Sequence, residues 1–211
     1  MLEQRNHVDA IYLDFAKAFD RVDHGILMQK INGVNITGKI ATWIYAFLTQ
    51  RQQMVRVEGH FSRKVWVTSG VPQGSVLGPV LFLIMMNNIT DNIASTSLAS
   101  FADDTRIWRD IHGEENAQEL QHDLNSLYEW ARNNNMDFNN SKFESMRYGK
   151  PTISGKSSYQ DPGQNTIEEK VSVTDLGIIT ANNLNFTIHI NNIISKGKRM
   201  TAWALRTIKA S

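Results

Sequence analysis

The 211-residue sequence contains no cysteine, which excludes disulfide bonds, thiolate metal sites and a cysteine nucleophile. It also has no long hydrophobic run. The longest, residues 80–86 (VLFLIMM), is far shorter than the roughly 20 apolar residues that cross a bilayer. Residues 1–7 (MLEQRNH) lack the apolar core of a signal peptide. We therefore expect neither a secreted nor a membrane-spanning protein.

Acidic residues are absent after Asp175, although the whole chain carries a net charge of only +1. Basic residues continue to the end of that region: Lys196, Lys198, Arg199, Arg206 and Lys209. Such a tail fits a polyanionic partner, and it fits equally well the solvated face of a helix. Hydrophobic residues make up 41% of the chain, which is enough for the core of one domain, or of one domain with a small appendage.

Two adjacent aspartates, Asp103 and Asp104, lie between two short β-favouring runs within residues 97–108 (SLASFADDTRIW). Aspartate is common in tight turns, so this pattern indicates a β-hairpin with an acidic tip. A carboxylate pair on a rigid tip is also a ligand pair for a hard cation such as Mg²⁺. A third carboxylate elsewhere would favour the second interpretation.

Periodicity predicts an α+β fold, with a mostly antiparallel sheet, helices packed on one face, and a C-terminal hairpin and helix. The predicted strands and hairpins are residues 8–13, 53–58 with 64–68, 97–108, 136–148, and 166–173 with 177–180. The predicted helices are residues 23–32, 37–48 (capped by Thr37), 76–88, 114–133 and 188–209. Residues 149–164, rich in Gly, Ser and Pro, indicate a loop and a boundary.

Asp14 ends the first predicted strand. If that strand lies beside the acidic hairpin, three carboxylates meet at one edge of the sheet, where they repel each other unless cations are present. Two Mg²⁺ ions about 3.5–4 Å apart would relieve that repulsion and suit an in-line phosphoryl displacement. The turn-rich residues 69–75 (SGVPQGS), before a helix, suit an anion site or a plain connector.

Three motifs resemble those of reverse transcriptases in order and approximate spacing: residues 14–20 (DFAKAFD), 69–79 (SGVPQGSVLGP) and 101–104 (FADD). They are most similar to those of non-LTR (LINE-type) retrotransposons. Residues 127–130 (LYEW) and 175–178 (DLGI) resemble the same elements. The resemblance implies RNA-directed DNA polymerase activity, with two Mg²⁺ ions (or Mn²⁺), an RNA template, a DNA primer and dNTPs. It also implies action in the nucleus.

The resemblance also implies roles for single residues near the metals. Asp14, Asp103 and Asp104 match the catalytic, metal-binding aspartates, and the carbonyl of Phe15 matches a further metal ligand. Phe19 matches the aromatic that blocks a ribose 2′-hydroxyl, although core packing explains a phenylalanine here as well.

Other implied roles concern the nucleotide and the primer. Gln73 and Gly74 match the loop that contacts nucleotide and template, and Lys142 resembles a lysine that protonates the departing pyrophosphate. Residues 175–180 resemble the hairpin that supports the primer end, and the helix from Ile188 resembles the start of a thumb. The last implied roles are phosphate contacts, by Lys196, Lys198 and Arg199.

The sequence departs from the family pattern at Phe143, where a small residue or Cys is usual, and at Asn88, where Asp is usual. Only 13 residues precede Asp14, so we expect a fragment or a truncated reading frame: residues 1–150 a palm without fingers, and 151–211 a loop, the hairpin and a partial thumb. We expect this fragment alone to polymerise weakly or not at all. Two alternatives remain open, a catalytically inactive relic that binds nucleic acid and a two-metal nuclease.

Overall fold

The computed structural model describes residues 7–149 and 158–209. Its helices are α1 Ala18–Arg21, α2 His24–Gly33, α3 Gly38–Thr49, α4 Leu77–Met86, α5 Glu114–Asn133 and α6 Thr187–Lys209. Its strands are β1 His7–Leu13, β2 Gln52–Gln53, β3 Arg56–Val57, β4 His60–Phe61, β5 Val65–Trp66, β6 Ser97–Phe101, β7 Asp104–Ile111, β8 Glu144–Tyr148, β9 Glu168–Lys170, β10 Ser172–Asp175 and β11 Ile178–Ala181. A short 3-10 helix covers Asn140–Lys142.

The main sheet has five strands in the order β6-β7-β1-β8-β9, and β8 and β9 run parallel. Strand β7, which follows the acidic turn, is thus the neighbour of β1, which leads to Asp14. The predicted α+β class, with a sheet dominated by antiparallel pairs, is confirmed. Among the described residues no helix is both long and apolar enough to cross a bilayer.

The chain divides into two compact units. Residues 12–107 and 119–143 form the second unit, which contains α1 to α4 and most of α5. Its core is built by helix α2 packing against α3 and α4. The buried side chains on these helices include Leu27, Ile31, Leu48, Phe82 and Met85. They recur at helical spacing, so apolar periodicity both forms the helices and buries one face of each.

The first unit comprises residues 1–11, 108–118 and 144–211. In it β10 pairs with β11 antiparallel, and helix α6 packs against β11. Asp9, on β1, is buried and accepts hydrogen bonds from Arg147 Nε at 3.0 Å and from the Tyr159 hydroxyl at 2.7 Å. This satisfied charge pair joins β1 to β8 and to the segment before β9, because a buried carboxylate is costly without such partners.

Most predicted elements are confirmed within a residue or two. Helix α5 has the bounds predicted for it, and α2 begins one residue after Asp23, whose carboxylate caps it by accepting from the Ile26 amide at 3.0 Å. Residues 150–157 of the predicted boundary loop lie outside the described residues.

Other details differ from the prediction. Residues 136–148 do not form a strand pair: only β8 is a strand, while Phe138 makes a single bridge to Phe15. The hairpin predicted around Gly59 is present, but a bulge divides it into two short ladders, β2 with β5 and β3 with β4. The hairpin predicted for 166–173 with 177–180 is formed by β10 and β11 instead, and β9 joins the main sheet. Thr37 precedes α3 as expected, but its side chain makes no capping hydrogen bond.

Candidate active site

The acidic pair lies at the tip of the hairpin formed by β6 and β7. Ala102 and Asp103 form the turn, and Asp104 is the first residue of β7. Ala102 has φ 55°, a left-handed conformation that alanine rarely adopts. The hydroxyls of Ser100 and Thr105 lie 2.9 Å apart across the hairpin. This bond braces the strands beside the tip and limits how far the two carboxylates can move.

Asp14 directly follows β1 and is positioned by its own backbone. The Asn139 amide donates to the Asp14 carbonyl and the Ala16 amide donates to the Asp137 carbonyl, each at 2.8 Å. In this antiparallel bridge Phe15 packs its ring on Phe138, with centroids 4.2 Å apart. The carbonyl of Phe15 therefore points away from residue 138, because the bridge uses the groups on either side of it.

Charge couples the three aspartates to one another. Burial raises the pKa of Asp104, and the negative charges of Asp103 and Asp14 raise it further, while Lys142 acts in the opposite direction. These effects require the groups to lie near each other. The carboxylates at positions 14, 103 and 104 therefore lie within electrostatic range of one another in the second unit.

Lys142 belongs to the same cluster. Its Nζ donates to Asp14 Oδ2 at 2.8 Å, and the hydrogen bond and charge of Asp14 raise the pKa of Lys142, with further contributions from Asp103 and Asp104. The lysine side chain is 62% exposed, so the pair is solvated rather than a fixed buried ion pair. A protonated amine therefore lies where the aspartates need positive charge.

In residues 7–149 and 158–209 no group of three or more His, Asp or Glu side chains is close enough to hold a metal ion by itself. The donor set still suits a hard cation, because carboxylate oxygens are the ligands that Mg²⁺ prefers, and substrate phosphates usually complete its shell. The charges of Asp103 and Asp14 contribute to the raised pKa of Asp104, and Lys142 donates to Asp14, so positive charge is favourable beside these carboxylates.

The Gly-rich loop is bound to the segment that follows Asp14. Gln73 Nε2 donates to Asp20 Oδ1 and the Ser69 hydroxyl donates to the Asp20 carbonyl, both at 2.8 Å. Gly70 has φ +86°, and a Cβ there would lie 2.8 Å from Asp20 Cα. Glycine is therefore required for this approach. Gly74, also at positive φ, has open space around it.

Phe19 is half-buried and stacks on the buried Phe82, with ring centroids 4.4 Å apart and planes at 16°. One face of the Phe19 ring is therefore used in core packing, as one of the two interpretations of this residue expects. Lys196, Lys198 and Arg199 lie on α6, in the first unit, and are exposed.

Two supporting interactions were missed by reasoning from the sequence. The fully buried Asp123 accepts hydrogen bonds from three successive amides just before β6, at Ala94, Ser95 and Thr96. The sequence did contain a signal for this interaction. Asp123 lies between the apolar positions Leu120 and Leu124 of α5, and an aspartate is rarely buried unless it has hydrogen-bond partners.

The second missed interaction involves the atypical Asn88. Its Oδ1 accepts from Lys30 Nζ at 2.6 Å and from Trp130 Nε1 at 3.0 Å. Lys30 also lies 4.9 Å from the centre of the Trp130 ring. Asn88 therefore joins α2 to α5, and no local sequence signal pointed to that.

The fold is similar to that of solved telomerase structures. Two solved telomerase structures share it: apo telomerase from Candida tropicalis truncated from the C-terminal domain (TM-score 0.58, 15% identity, 85% of this chain and 35% of that one) and telomerase from Candida albicans in complex with a TWJ fragment of telomeric RNA (TM-score 0.54, 13% identity, 85% and 31%). Identities this low show the fold alone.

The chain belongs to the family described as reverse transcriptase (RNA-dependent DNA polymerase), whose model matches residues 2–180. The RNA-directed DNA polymerase from mobile element jockey of Drosophila melanogaster is 28% identical over 91% of this chain. The Pol polyprotein from the type-1 retrotransposable element R2 of Popillia japonica is 25% identical over 96% of it. These relatives confirm the resemblance predicted from the motifs. The chain spans 22% and 34% of their lengths.

Proposed function

We propose that this chain forms the catalytic part of an RNA-directed DNA polymerase, which joins a dNTP to the 3′-hydroxyl of a DNA primer on an RNA template. One observation carries the proposal: Asp14 lies within electrostatic range of the adjacent pair Asp103 and Asp104, distant from it in sequence, and accepts a hydrogen bond from Lys142 in the same compact unit. Membership of the reverse transcriptase family supports the same reaction.

The residues present suit a pair of divalent cations, Mg²⁺ or Mn²⁺, held by the three aspartates and the carbonyl of Phe15. Bound there, the cations would supply charge neutralisation for the phosphates and lower the pKa of the attacking hydroxyl. Two hydrogen bonds would keep the carboxylates positioned before substrate arrives. The Asn139 amide holds the backbone of Asp14, and the bond between the Ser100 and Thr105 hydroxyls braces the hairpin that carries Asp103 and Asp104.

Lys142 is suited to a second role. Its exposed ammonium group, which donates to Asp14, would be available to donate a proton to the departing pyrophosphate. Phe19 presents one face of its ring beside the loop containing Gln73 and Gly74, and we assign these three residues to nucleotide selection and binding.

The remaining assignments concern the nucleic acid. We assign residues 1–150 to a palm, and 151–211 to a loop, a primer-supporting hairpin at β10–β11 and the start of a thumb. The exposed Lys196, Lys198 and Arg199 bind phosphates without reading sequence. We place this activity in the nucleus, as the family resemblance implies.

The test is primer extension on an RNA template, by protein that contains this chain. We expect Asp14→Asn, Asp103→Asn and Asp104→Asn each to lower the incorporation rate by about a hundredfold or more, since each removes a charge that acts on the reacting phosphate. Asp110→Asn, on the same strand as Asp104, is the matched control and leaves the rate unchanged. Full activity in any of the three variants contradicts the assignment.

Binding without catalysis is the second candidate. The contact between Lys142 Nζ and Asp14 Oδ2 favours it, because an ammonium group that neutralises this carboxylate competes with a cation for the same oxygen. Salt-sensitive binding of primer–template, with no incorporation in either Mg²⁺ or Mn²⁺, would establish it in place of the first.

A further inference from the structure

Residues 52–66, here called the basic hairpin, extend from the second unit as two short ladders. Gln52 pairs with Trp66 and Gln53 with Val65; farther out, Arg56 pairs with Phe61 and Val57 with His60. The two ladders are separated by two residues on one strand and three on the other, which is a bulge. The Ser62 amide donates to the Val55 carbonyl and the Val55 amide to the Ser62 hydroxyl, both at 2.9 Å, so the bulge is held in place.

Every residue of the basic hairpin is exposed, including several large apolar ones. Val55 is 65% exposed, Phe61 58% and Trp66 64%. An isolated two-stranded ribbon is only marginally stable in water, and clustered exposed apolar side chains mark interaction sites. The hairpin has the composition of a surface that another molecule covers.

The charge of the basic hairpin indicates what covers it. Arg56, Arg63 and Lys64 are opposed by Glu58 alone, for a net charge of +2 with His60 neutral. Within the described part of the chain none of the three basic side chains has a carboxylate partner at ion-pair distance. The Arg56 guanidinium lies 5.3 Å from the centre of the Phe61 ring, so a cation and an aromatic face are presented together.

A cleft of about 320 Å³ opens at the bulge. Gln53 and Arg63 contribute polar groups to its lining, while Met54, Val55 and Val65 contribute apolar ones. A flat ring with polar edges, such as a nucleobase, matches that combination because it can stack on apolar surface and form hydrogen bonds at its rim.

The apolar residues are not gathered on one face of the ribbon. Cross-strand partners share a face, so Phe61 lies beside Arg56, whereas Val57 lies beside His60 on the opposite face. A surface that inserts into a membrane needs its apolar side chains segregated from its charged ones. The interleaved arrangement here suits a chain in which phosphates alternate with bases.

We propose that the basic hairpin is a docking surface for single-stranded nucleic acid, with bases stacking on Phe61 and Trp66 and phosphates contacting Arg56, Arg63 and Lys64. The proposal rests on the proposed function, in which the chain handles a single-stranded template. It adds a surface separate from the aspartates and from α6.

The test is fluorescence anisotropy of a short labelled oligouridylate, with an oligothymidylate and anionic phospholipid vesicles as parallel arms. We expect the double variant Phe61→Ala/Trp66→Ala to bind the oligouridylate about tenfold or more weakly than the parent chain, because stacking on aromatic side chains is lost. Tyr45→Ala removes an exposed aromatic outside the hairpin and should leave affinity unchanged. Phe61→Tyr keeps the ring and should restore binding.

The basic residues give an independent measurement. Arg63→Ala/Lys64→Ala should reduce the slope of log affinity against log salt by about 0.7 for each phosphate that the variant no longer neutralises, while Arg132→Ala, exposed on α5, leaves the slope unchanged. Photo-crosslinking of the parent chain to bromouridine-containing RNA needs no variant and should label peptides that contain residues 52–66. Circular dichroism and thermal unfolding confirm that the variants are folded.

The outcomes separate the two proposals. If the parent chain shows no salt-dependent binding to either oligonucleotide, the nucleic-acid function fails and the docking surface fails with it. If the parent chain binds but the hairpin variants bind equally well and crosslinks fall elsewhere, only the docking surface is wrong. Vesicle binding that depends on Phe61 and Trp66, with no effect on oligonucleotide affinity, also overturns it. Equal effects on oligouridylate and oligothymidylate assign the surface to either nucleic acid.

Discussion

Asp104 lies where its surroundings oppose its charge: burial and the charges of Asp103 and Asp14 raise its pKa. A carboxyl group whose pKa is higher in the folded state binds protons more tightly when folded. It therefore destabilises the fold once the pH rises above the ordinary value of about 4.

We predict that Asp104→Asn increases the free energy of unfolding of the metal-free chain at neutral pH while it removes polymerase activity. Urea unfolding of the two proteins at neutral pH and near pH 4 measures this, and the difference should shrink at the lower pH. If the variant is less stable than the parent at neutral pH, the ionised Asp104 carboxylate does not destabilise the fold and this explanation is wrong.

Lys30 provides a second residue with a shifted pKa. Burial lowers its pKa to about 8, while the charge of Asp91 acts in the opposite direction. The lysine of the unfolded chain keeps its proton up to its ordinary pKa of 10.5, so this group makes stability increase as the pH rises from about 8 towards 10.

We predict that Asn88→Asp, which places a carboxylate where Lys30 Nζ already donates, raises the pKa of Lys30 and stabilises the fold at neutral pH. Differential unfolding of parent and variant at neutral pH and near pH 10 tests this, and the gain should shrink at the higher pH. A gain that grows with pH instead, or a loss at neutral pH, contradicts the assignment of this contact.

The candidate site residues could be proposed from the sequence because the motifs that contain them resemble those of a known family. Their supports could not. The contact of Lys142 with Asp14 joins residues separated by more than half the chain, and Asp123 binds amides on a loop almost 30 positions earlier. Such contacts depend on how elements pack, which local patterns do not specify.

At the scale of single elements, periodicity predicted the long helices well and short connections less well. Helix α5 has a strong apolar repeat and the expected bounds. The segment before β8 alternates Met136 and Phe138, which is typical of a strand, but Phe138 pairs only with Phe15. The chain then turns into the 3-10 helix at Asn140–Lys142, because the Lys142 amide donates back to Asn139 instead of to a neighbouring strand.

The loop at residues 69–75 packs closely against the backbone of Asp20 in α1. We predict that Gly70→Ala destabilises the fold by more than about 1 kcal/mol, because alanine is strained at this φ and its Cβ would overlap the Asp20 backbone. Gly74→Ala, at positive φ but with open surroundings, is the matched control for the contact and should cost less. Thermal unfolding of both variants measures the difference, and equal losses would remove the role given to the close approach.

Asp123 positions the strand that carries the acidic tip. We predict that Asp123→Ala lowers stability by about 3 kcal/mol, because three partly buried amides lose a charged acceptor together. Asp123→Asn keeps one acceptor oxygen and should lose less. Because this residue acts through β6, we expect incorporation by Asp123→Asn to fall in kcat with little change in the KM for dNTP. A rise in KM alone would indicate a different role.

In the whole molecule, the strand order places the strand before Asp14 beside the acidic hairpin. The sequence analysis required this arrangement for three carboxylates to share one edge of the sheet, and the order β6-β7-β1 meets the requirement. Pairing between strands so distant in sequence cannot be read from local patterns. It was predicted only as a consequence of assigning one metal site to these carboxylates.

The separation into two units divides the proposed roles. The aspartates, Lys142, the Gly-rich loop and the basic hairpin belong to the second unit, while β10–β11 and α6 belong to the first. Chemistry and template docking are thus assigned to one unit and primer support to the other. The chain spans only 22% and 34% of the lengths of two of its relatives.

The most direct test of the central claim is Mn²⁺ binding to this chain, measured by electron paramagnetic resonance without nucleic acid. We predict that Asp14→Asn, Asp103→Asn and Asp104→Asn each weaken binding, that Asp110→Asn does not, and that Lys142→Met tightens it because the lysine no longer competes for Asp14. Unchanged affinity in the three aspartate variants would contradict the claim that these carboxylates form a metal site.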